Sequence, residues 1–452
     1  MSARVCVVGA GAAGLAAARN LLAEGFDVRV LEREPDLGGV WNYGLPAGRV
    51  YRSTHMISSK PFTQFPDFPM PDEYPDYPSH AQVLAYLRAY ADHFGVLRTI
   101  RFDTEVTQAR PVDRETDGAG PLEPRWLVRT ADGREETYAA LVVANGHNWS
   151  PKWPQYPGEF TSAVMHSATY RTPDVLRGRR VLVVGGGNSG CDIAVEAAQH
   201  AEAAFHSLRR GYHYLPKYIL GRPVDQIGDL LLRLRLPLAV RRAIARAAIR
   251  LVVGRPEQIG LPRPDHKLFE THPIVNSLLP FYVRHGELTP KPDIAALEGE
   301  RVRFVDGSVA TIDLIVYATG YEITIPFMDP ALLNWREGRP RLYKHVFHPT
   351  LDTLFVAGLI QSDSGVFGMV HQQTRAVALF LRAAIAADPA AELLRQRRQQ
   401  VDEDLGAGIR YAGSTRHYVE VEHWSYLKSL QQLVRELERG VAARPASTGR
   451  AA

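Results

Sequence analysis

The sequence predicts an α/β protein with two doubly wound parallel sheets, one domain inserted in the other. Three observations predict it. The pattern "RVCVVGAGAAG" at residues 4–14 returns as "RVLVVGGGNSG" at 180–190, each an apolar strand, a glycine turn and an Ala-rich helix start. Each copy closes alike, with a hairpin turned at Asp-Gly (Asp132 and Gly133, Asp306 and Gly307) and an apolar strand ending in Ala-x-Gly, at Gly146 and Gly320. A further strand, "TLFVAG" at 353–358, follows the second copy and precedes a helix expected near Val370. Apolar strands without polar alternation read as parallel and covered on both faces. The late strand is read as returning to the first sheet.

In the first turn, Gly9, Gly11 and Gly14 serve the bend, backbone approach to a pyrophosphate, and close helix–strand packing. This is a Rossmann-like dinucleotide-binding turn. Glu32 ends the next strand, "VRVLE", where a carboxylate can accept hydrogen bonds from a ribose diol. "LGGVW" at 37–41 adds Gly39 and Trp41, and "TLFVAG" adds Gly358. Together they resemble the flavoprotein pattern in which a late segment brings a helix N-terminus to the isoalloxazine, so the first site looks like one for FAD.

The second turn carries Gly185, Gly187 and Gly190, but its next strand runs into "FHSLRRG" at 205–211, where no acid stands. Ser207, Arg209 and Arg210 do. Arginine suits a 2′-phosphate through bidentate charge-assisted bonds, so this site is expected to prefer NADPH over NADH. The expected organisation is 1–168 for the first part of the FAD-binding domain and 169–322 for the NADPH-binding domain, with an inserted helical segment at about 225–286. Residues 323–440 return to the FAD-binding domain. The loop at 113–125 joins hairpin strands, and 441–452 is expected to be a disordered tail.

Composition narrows the function classes. In 452 residues, 53 basic and 49 acidic side chains give a net charge of +4, too even for a nucleic-acid partner. Two distant cysteines, Cys6 and Cys191, argue against a disulfide framework or redox dithiol and for a reducing compartment. The first strand begins by Arg4, which leaves no room for a leader, and apolar runs are too short for a membrane span. The expectation is a cytoplasmic protein without membrane partners, its composition compatible with a homo-oligomer. His345 and His348 lack a third ligand and are read as structural, so no metal is expected.

Between the two turns lies "FTSAVMHSATY" at 160–170. Phe160, His166 and Tyr170 match the motif F-x-G-x-x-x-H-x-x-x-(W/F/Y), with Ser162 where glycine is usual. The stretch resembles the identifying motif of class B flavin monooxygenases. The resemblance covers nearly the whole chain and is to the flavin-containing monooxygenase family, supported by "VGGGNSGCDIA" at 184–194, "RRGYHYLPK" at 209–217, "YATGY" at 317–321 and "FPDFP" at 65–69. It implies FAD at the first site, with Gln373 beside the Gly358 segment, and NADPH at the second, with Asn188 and Ser189 in its turn. The implied reaction places one atom of O2 on a soft nitrogen or sulfur of a small organic substrate through a C4a-hydroperoxyflavin. A Baeyer-Villiger monooxygenase and a non-oxygenating NADPH-dependent oxidase or sensor stand as alternatives.

Many family members carry an Asn in the loop before "FPDFP"; this chain has Ile57 there. His55, Ser58 and Ser59 are the polar candidates in the flavin-proximal loop, and the choice among them stays open. Residues 230–253 form a basic amphipathic stretch, with Arg242, Arg246 and Arg250 at helical spacing. Such a stretch could lie on an anionic membrane surface, but the preferred reading is a lid helix of the inserted domain with a solvated arginine face, interrupted by Pro237.

Overall fold

A computed structural model describes residues 3–112, 125–234, 236–409, 411 and 418–442. Residues 113–124 of the loop expected at 113–125, and 443–452 of the tail expected at 441–452, lie outside the described residues.

Ten strands build two parallel sheets: β1 (Arg4–Val8), β2 (Asp27–Leu31), β3 (Ile100–Arg101), β4 (Ala140–Val143), β5 (Ala163–His166), β6 (Arg180–Val184), β7 (Ala203–Ser207), β8 (Leu288–Lys291), β9 (Leu314–Tyr317) and β10 (Leu354–Val356). Their orders are β10-β4-β1-β2-β3 and β5-β9-β6-β7-β8. Every ladder in both is parallel. The second sheet lies between β4 and β10 in the chain, so one doubly wound unit is inserted in the other. The late strand "TLFVAG" pairs with β4 through Leu354 and Leu141, which completes the first sheet.

The helices that matter for the site are α1 (Ala12–Ala23), α2 (His80–His93), α3 (Asn188–His200), α4 (Val224–Arg233), α5 (Leu238–Val252), α6 (Phe367–Ile385) and α7 (His423–Ala442). α7 takes in residues 441 and 442, which the sequence reading assigns to a tail.

Strand alternation distributes each sheet between two cores. Val5 and Val7 of β1 pack with α1, α2, α6 and α7, whereas Cys6 and Val8 face the antiparallel strands Val106–Pro111, Trp126–Thr130 and Glu135–Tyr138. In β6, Val181 and Val183 pack on α3, whereas Leu182 and Val184 meet Ile294, Val302 and Phe304. Both faces are covered, which is why the strands carry no polar alternation. The two Asp-Gly hairpins form as expected, with Gly133 at φ +83° and Gly307 at φ +82°.

One boundary moves. β5 is the edge strand of the second sheet, paired with β9, and Gly158–Phe160 pairs with Ile294–Gly299. The stretch 158–168, placed in the first part of the FAD-binding domain by sequence, therefore belongs structurally to the second unit. An edge strand with Ala163 and Val164 exposed has no apolar run to reveal it. The passages between units run side by side, Ser150–Pro151 against Tyr321–Glu322.

Candidate functional site

The first glycine turn is a cradle closed by backbone. Gly9 has φ +104°, and a Cβ there would stand 2.7 Å from the Ala144 carbonyl oxygen. Gly14 lies against the same turn: its Cβ would be 1.8 Å from the Gly9 oxygen. Gly11 is the N-cap of α1, with no side-chain cap and no acid in the first turn, so the helix end presents free N–H groups and a positive dipole end. Two other segments converge there. A Cβ on Gly39 (φ +53°) would be 3.2 Å from the Gly11 Cα, and one on Gly358 would be 2.8 Å from the Ala13 Cβ. Trp41 ends the 3-10 turn Gly39–Trp41 and is half-buried against the first core.

Glu32 is buried at the end of β2 and accepts the Ala10 N–H at 2.5 Å and the Glu34 N–H at 3.0 Å. Burial raises its pKa against these amides. Each oxygen keeps acceptor capacity for a diol. Gln373 differs from expectation. It is fully buried, its oxygen accepting the Gly358 N–H at 3.0 Å and its nitrogen donating to the Tyr426 hydroxyl at 2.6 Å. Its amide shapes the Gly358 bend, with one hydrogen bond made at each end.

The second turn repeats the first. Gly185 (φ +118°) sits against the Ala318 oxygen, Gly187 is an uncapped N-cap for α3, and a Gly190 Cβ would be 2.0 Å from the Gly185 oxygen. The remaining candidates divide. Asn188 is spent on a neighbouring segment, donating to the Pro273 oxygen at 3.0 Å and accepting the Val275 N–H at 2.9 Å. Ser189 lies beside the Tyr51 hydroxyl on the first turn of α3. Ser207 is buried and donates to the Pro292 oxygen. Arg210 is tied to Asp265, at 2.8 Å, and to His266. Arg209 is exposed. The basic doublet thus holds one anchored and one exposed arginine.

Two of the three motif residues, His166 and Tyr170, line the junction of the units. His166 ends β5, buried between Trp153, 5.4 Å away, and Tyr321, 5.5 Å away. Its Nδ1 accepts the Ala168 N–H at 3.1 Å, which places the proton on Nε2, and burial lowers its pKa to about 4. Phe160 packs in the antiparallel core beside Phe205 and Leu297. Tyr170 is buried, donates to Glu196 and meets Tyr51 edge-on at 5.7 Å.

Sequence reasoning missed the groups that join the units here. Tyr51 donates to Asp192 at 2.6 Å, and Asn276 donates to the other carboxylate oxygen at 2.7 Å. Arg49 and Arg171 both donate to the Gly48 carbonyl, Arg49 also to Trp149 and Arg171 also to Ala168 and Tyr170. Their partners are backbone atoms or residues far along the chain, which leave no signature in spacing.

In the loop before "FPDFP", the three polar candidates have distinct positions. His55 is exposed and bonded to the Ser53 carbonyl. The Ser58 hydroxyl is paired with Thr63 at 2.8 Å. Ser59 is fully buried, caps the helical turn Lys60–Thr63, and gives its N–H to Asp225 of α4 at 2.6 Å. Burial raises the Asp225 pKa. His55 faces away from the core, so the buried serines are the candidates this loop can turn inward.

His206, on β7 beneath the second turn, hydrogen-bonds the Gly185 oxygen at 2.9 Å, and burial lowers its pKa from 6.5 to about 4. A neutral ring that must take up a proton on unfolding contributes stability present above pH 6.5 and lost as pH falls toward 4. Between those limits the wild type is expected to lose about 3 kcal/mol more than His206→Gln, whose amide keeps a donor but does not titrate. Calorimetric melts of both proteins across that range check it; parallel slopes refute the assignment.

Among the described residues no group of three or more His, Cys, Asp and Glu is placed to hold a metal ion, and no helix is long and apolar enough to cross a membrane. His345 is half-buried, and His348 accepts the Thr350 and Leu351 N–H groups.

Fold and site together define a protein with two glycine-turn cradles, each at an uncapped helix N-terminus and joined at a buried crossing. The profile of the flavin-binding monooxygenase-like family matches residues 2–439. Flavin-containing monooxygenase 5 of Oryctolagus cuniculus is 32% identical, over 95% of this chain and 82% of that protein. Flavin-containing monooxygenase 3 of Rattus norvegicus is 30% identical, over 96% and 83%. Two solved structures share the fold: oxidized steroid monooxygenase bound to NADP (TM-score 0.69, 21% identity, 97% and 99% covered) and S-allyl-L-cysteine S-oxygenase from Allium sativum (0.63, 22%, 99% and 94%). The chain belongs to the flavin-binding monooxygenase-like family and is an oxidoreductase of that family.

Proposed function

We propose that this protein is an FAD- and NADPH-dependent monooxygenase that oxygenates nitrogen or sulfur in a small organic substrate. The observation that carries the reading is the pair of cradles, each built so that backbone and helix N–H groups can receive a pyrophosphate and each too tight for a side chain at its packing glycine. FAD fits the first, where Gly11, Gly39 and Gly358 converge and Glu32 offers acceptors for a ribose. NADPH fits the second, where Arg209 stands in place of an acid. When bound, the flavin supplies activation of O2 by electrons drawn from the nicotinamide, and one oxygen atom passes to the substrate.

The chain's own groups orient and exclude. Neutral His166 adds no further positive charge to a crossing that already holds Arg49 and Arg171. The Ser58 and Thr63 hydroxyl pair and the bond from the Ser59 N–H to Asp225 close the loop at Ile57, which limits water there. A reducing cytoplasmic setting belongs to the same reading, supported by a chain with two cysteines, Cys6 and Cys191, both buried.

The test is turnover of flavin-loaded protein with NADPH, O2, and a panel of thioethers, tertiary amines and ketones. Sulfoxide or N-oxide formed in step with NADPH supports the reading. Lactone from a ketone would move it to Baeyer-Villiger chemistry, and peroxide equal to NADPH with every substrate would sink it in favour of an oxidase or sensor. Within this reading Arg209→Ala is expected to raise KM for NADPH by roughly 10- to 100-fold, the loss of a charge-assisted contact, and to leave KM for NADH unchanged. Arg210→Ala acts less, because its guanidinium is held by Asp265. Equal effects of the two variants would contradict the division.

A further inference from the structure

The crossing between the two units gathers positive charge. Arg49 follows the segment at the first cradle, its N–H bonded to the Val40 carbonyl at 2.9 Å, and Arg171 follows Tyr170 of the motif. Their side chains meet on the Gly48 carbonyl, Arg49 at 2.8 Å and Arg171 at 3.0 Å. The other hydrogen bonds of the pair end on the carbonyls of Pro46, Trp149, Ala168 and Tyr170. Each guanidinium thus spends three N–H donors on carbonyls and keeps others, the Arg49 Nε among them, buried and without a hydrogen-bond partner. Among the described residues neither guanidinium pairs with a carboxylate.

Carbonyls orient a guanidinium but carry no net charge to offset it. A third cation stands close: Arg33, which has its own acid in Glu34 at 3.4 Å and lies over the Trp149 ring. Burial lowers the Arg49 pKa; Tyr321 opposes that, and the charges of Arg171 and Arg33 add to it. Half-buried charge of one sign is costly unless an opposite charge joins it. Position chooses the anion. On one side, Val40 belongs to the turn Gly39–Trp41, whose Gly39 closes on Gly11 at the N-terminus of α1. On the other, Tyr51 and Tyr170 reach α3 at Asp192 and Glu196, and Ser189 of its first turn lies beside the Tyr51 hydroxyl. The pair therefore stands between two uncapped helix ends, each shaped for a pyrophosphate, and a planar fork of N–H groups suits phosphate oxygens.

We propose that Arg49 and Arg171 form a clamp on a dinucleotide diphosphate at the crossing, one guanidinium from each unit. The clamp rests on the reading of the cradles as dinucleotide sites and is independent of what the protein oxygenates. It ties occupancy of a cradle to the closeness of the two units, because the anion relieves the repulsion between cations that the Gly48 carbonyl alone holds together.

Equilibrium binding to the full chain tests it, with NADP+ and NAD+ titrated against flavin fluorescence and flavin content read as absorbance per protein. Arg49→Met and Arg171→Met keep an unbranched stem and remove the charge. If the clamp holds the nicotinamide dinucleotide, each variant weakens NADP+ and NAD+ alike, by about ten-fold, whereas Arg209→Ala weakens NADP+ alone. If it holds FAD, flavin content falls and the affinities of the flavin-loaded fraction for NADP+ and NAD+ stay at wild-type values. Arg49→Lys retains the cation and loses the fork, so it should recover part of either loss. It also carries the test should Arg49→Met fail to give a cooperative melt. Unchanged flavin content together with unchanged affinity for both nucleotides overturns the proposal. So does a loss confined to NADP+, which would mark a contact with the 2′-phosphate. Wild-type protein that binds neither FAD nor NADP+ would instead defeat the reading of the cradles themselves.

Discussion

Gly14→Ala is expected to yield a protein without flavin, and Gly190→Ala one that keeps flavin but is no longer reduced by NADPH. Both follow from the same geometry. The new Cβ would stand 1.8 Å from the Gly9 oxygen in one turn and 2.0 Å from the Gly185 oxygen in the other, with the carbonyl carbon at 2.9 Å in each. These contacts are with backbone of the turn itself, so no side chain can swing away. The helix must lift from its strand by more than 1 Å, which removes the N–H groups from the place where a pyrophosphate would lie. A cost of about 4 kcal/mol or more is reasonable for such a clash, enough to empty a site or unfold its unit. Flavin absorbance per protein and thermal melts read the first variant; reduction by NADPH against reduction by dithionite reads the second. Gly11→Ala sharpens the test, because its Cβ would meet nothing nearer than 3.8 Å, the Gly39 Cα. The flavin-free protein should melt as the wild type does, yet bind flavin more weakly, since the methyl would occupy the approach rather than the packing. Full flavin content in Gly14→Ala would show that the turn is not the cradle.

These glycines were legible in sequence because their requirement is local: strand, turn and helix are adjacent, and lack of a Cβ is itself the signal. Glu32 was legible for the same reason, one strand further on. What depends on distant partners was not. Arg209 and Arg210 read as equals until Asp265, 55 residues away, claims one of them. Gln373 reads as a ligand-side amide until Gly358 and Tyr426 account for both its ends. Strand β5 is short, half-exposed and at an edge, so periodicity gave no warning that the 160–170 motif belongs to the second sheet. The 3.6-residue period of α5 was visible, but which side faces out depends on what Glu270 and Leu268 offer inside.

Asp192→Ala is expected to cost about 3 kcal/mol of stability and, more tellingly, to loosen the relation between the two cradles. Its carboxylate holds three parts of the chain at once: Tyr51 from the loop after the first cradle, α3 of the second, and Asn276 from the return of the inserted segment. Asn276 in turn uses its oxygen to receive the Leu278 and Leu279 N–H groups, so the returning helix Leu279–Arg284 starts from the same point. Burial raises the Asp192 pKa, and the two donated hydrogen bonds, with the positive charge of Lys217, oppose that rise. Removing it strands a hydroxyl and an amide in a buried site, each worth about 1–3 kcal/mol when unpaired. Asp192→Asn keeps the volume and one acceptor but turns an NH2 group toward a donor, so its stability should fall between wild type and Asp192→Ala. The functional readout separates positioning from bulk stability. At a temperature where both variants are folded, KM for NADPH should rise and a larger share of NADPH should end as peroxide, with Asp192→Asn again intermediate. If Asp192→Ala melts earlier but its KM and peroxide share match wild type, the carboxylate serves only packing, and the alignment of the cradles must rest on the Arg49 and Arg171 bonds to the Gly48 carbonyl.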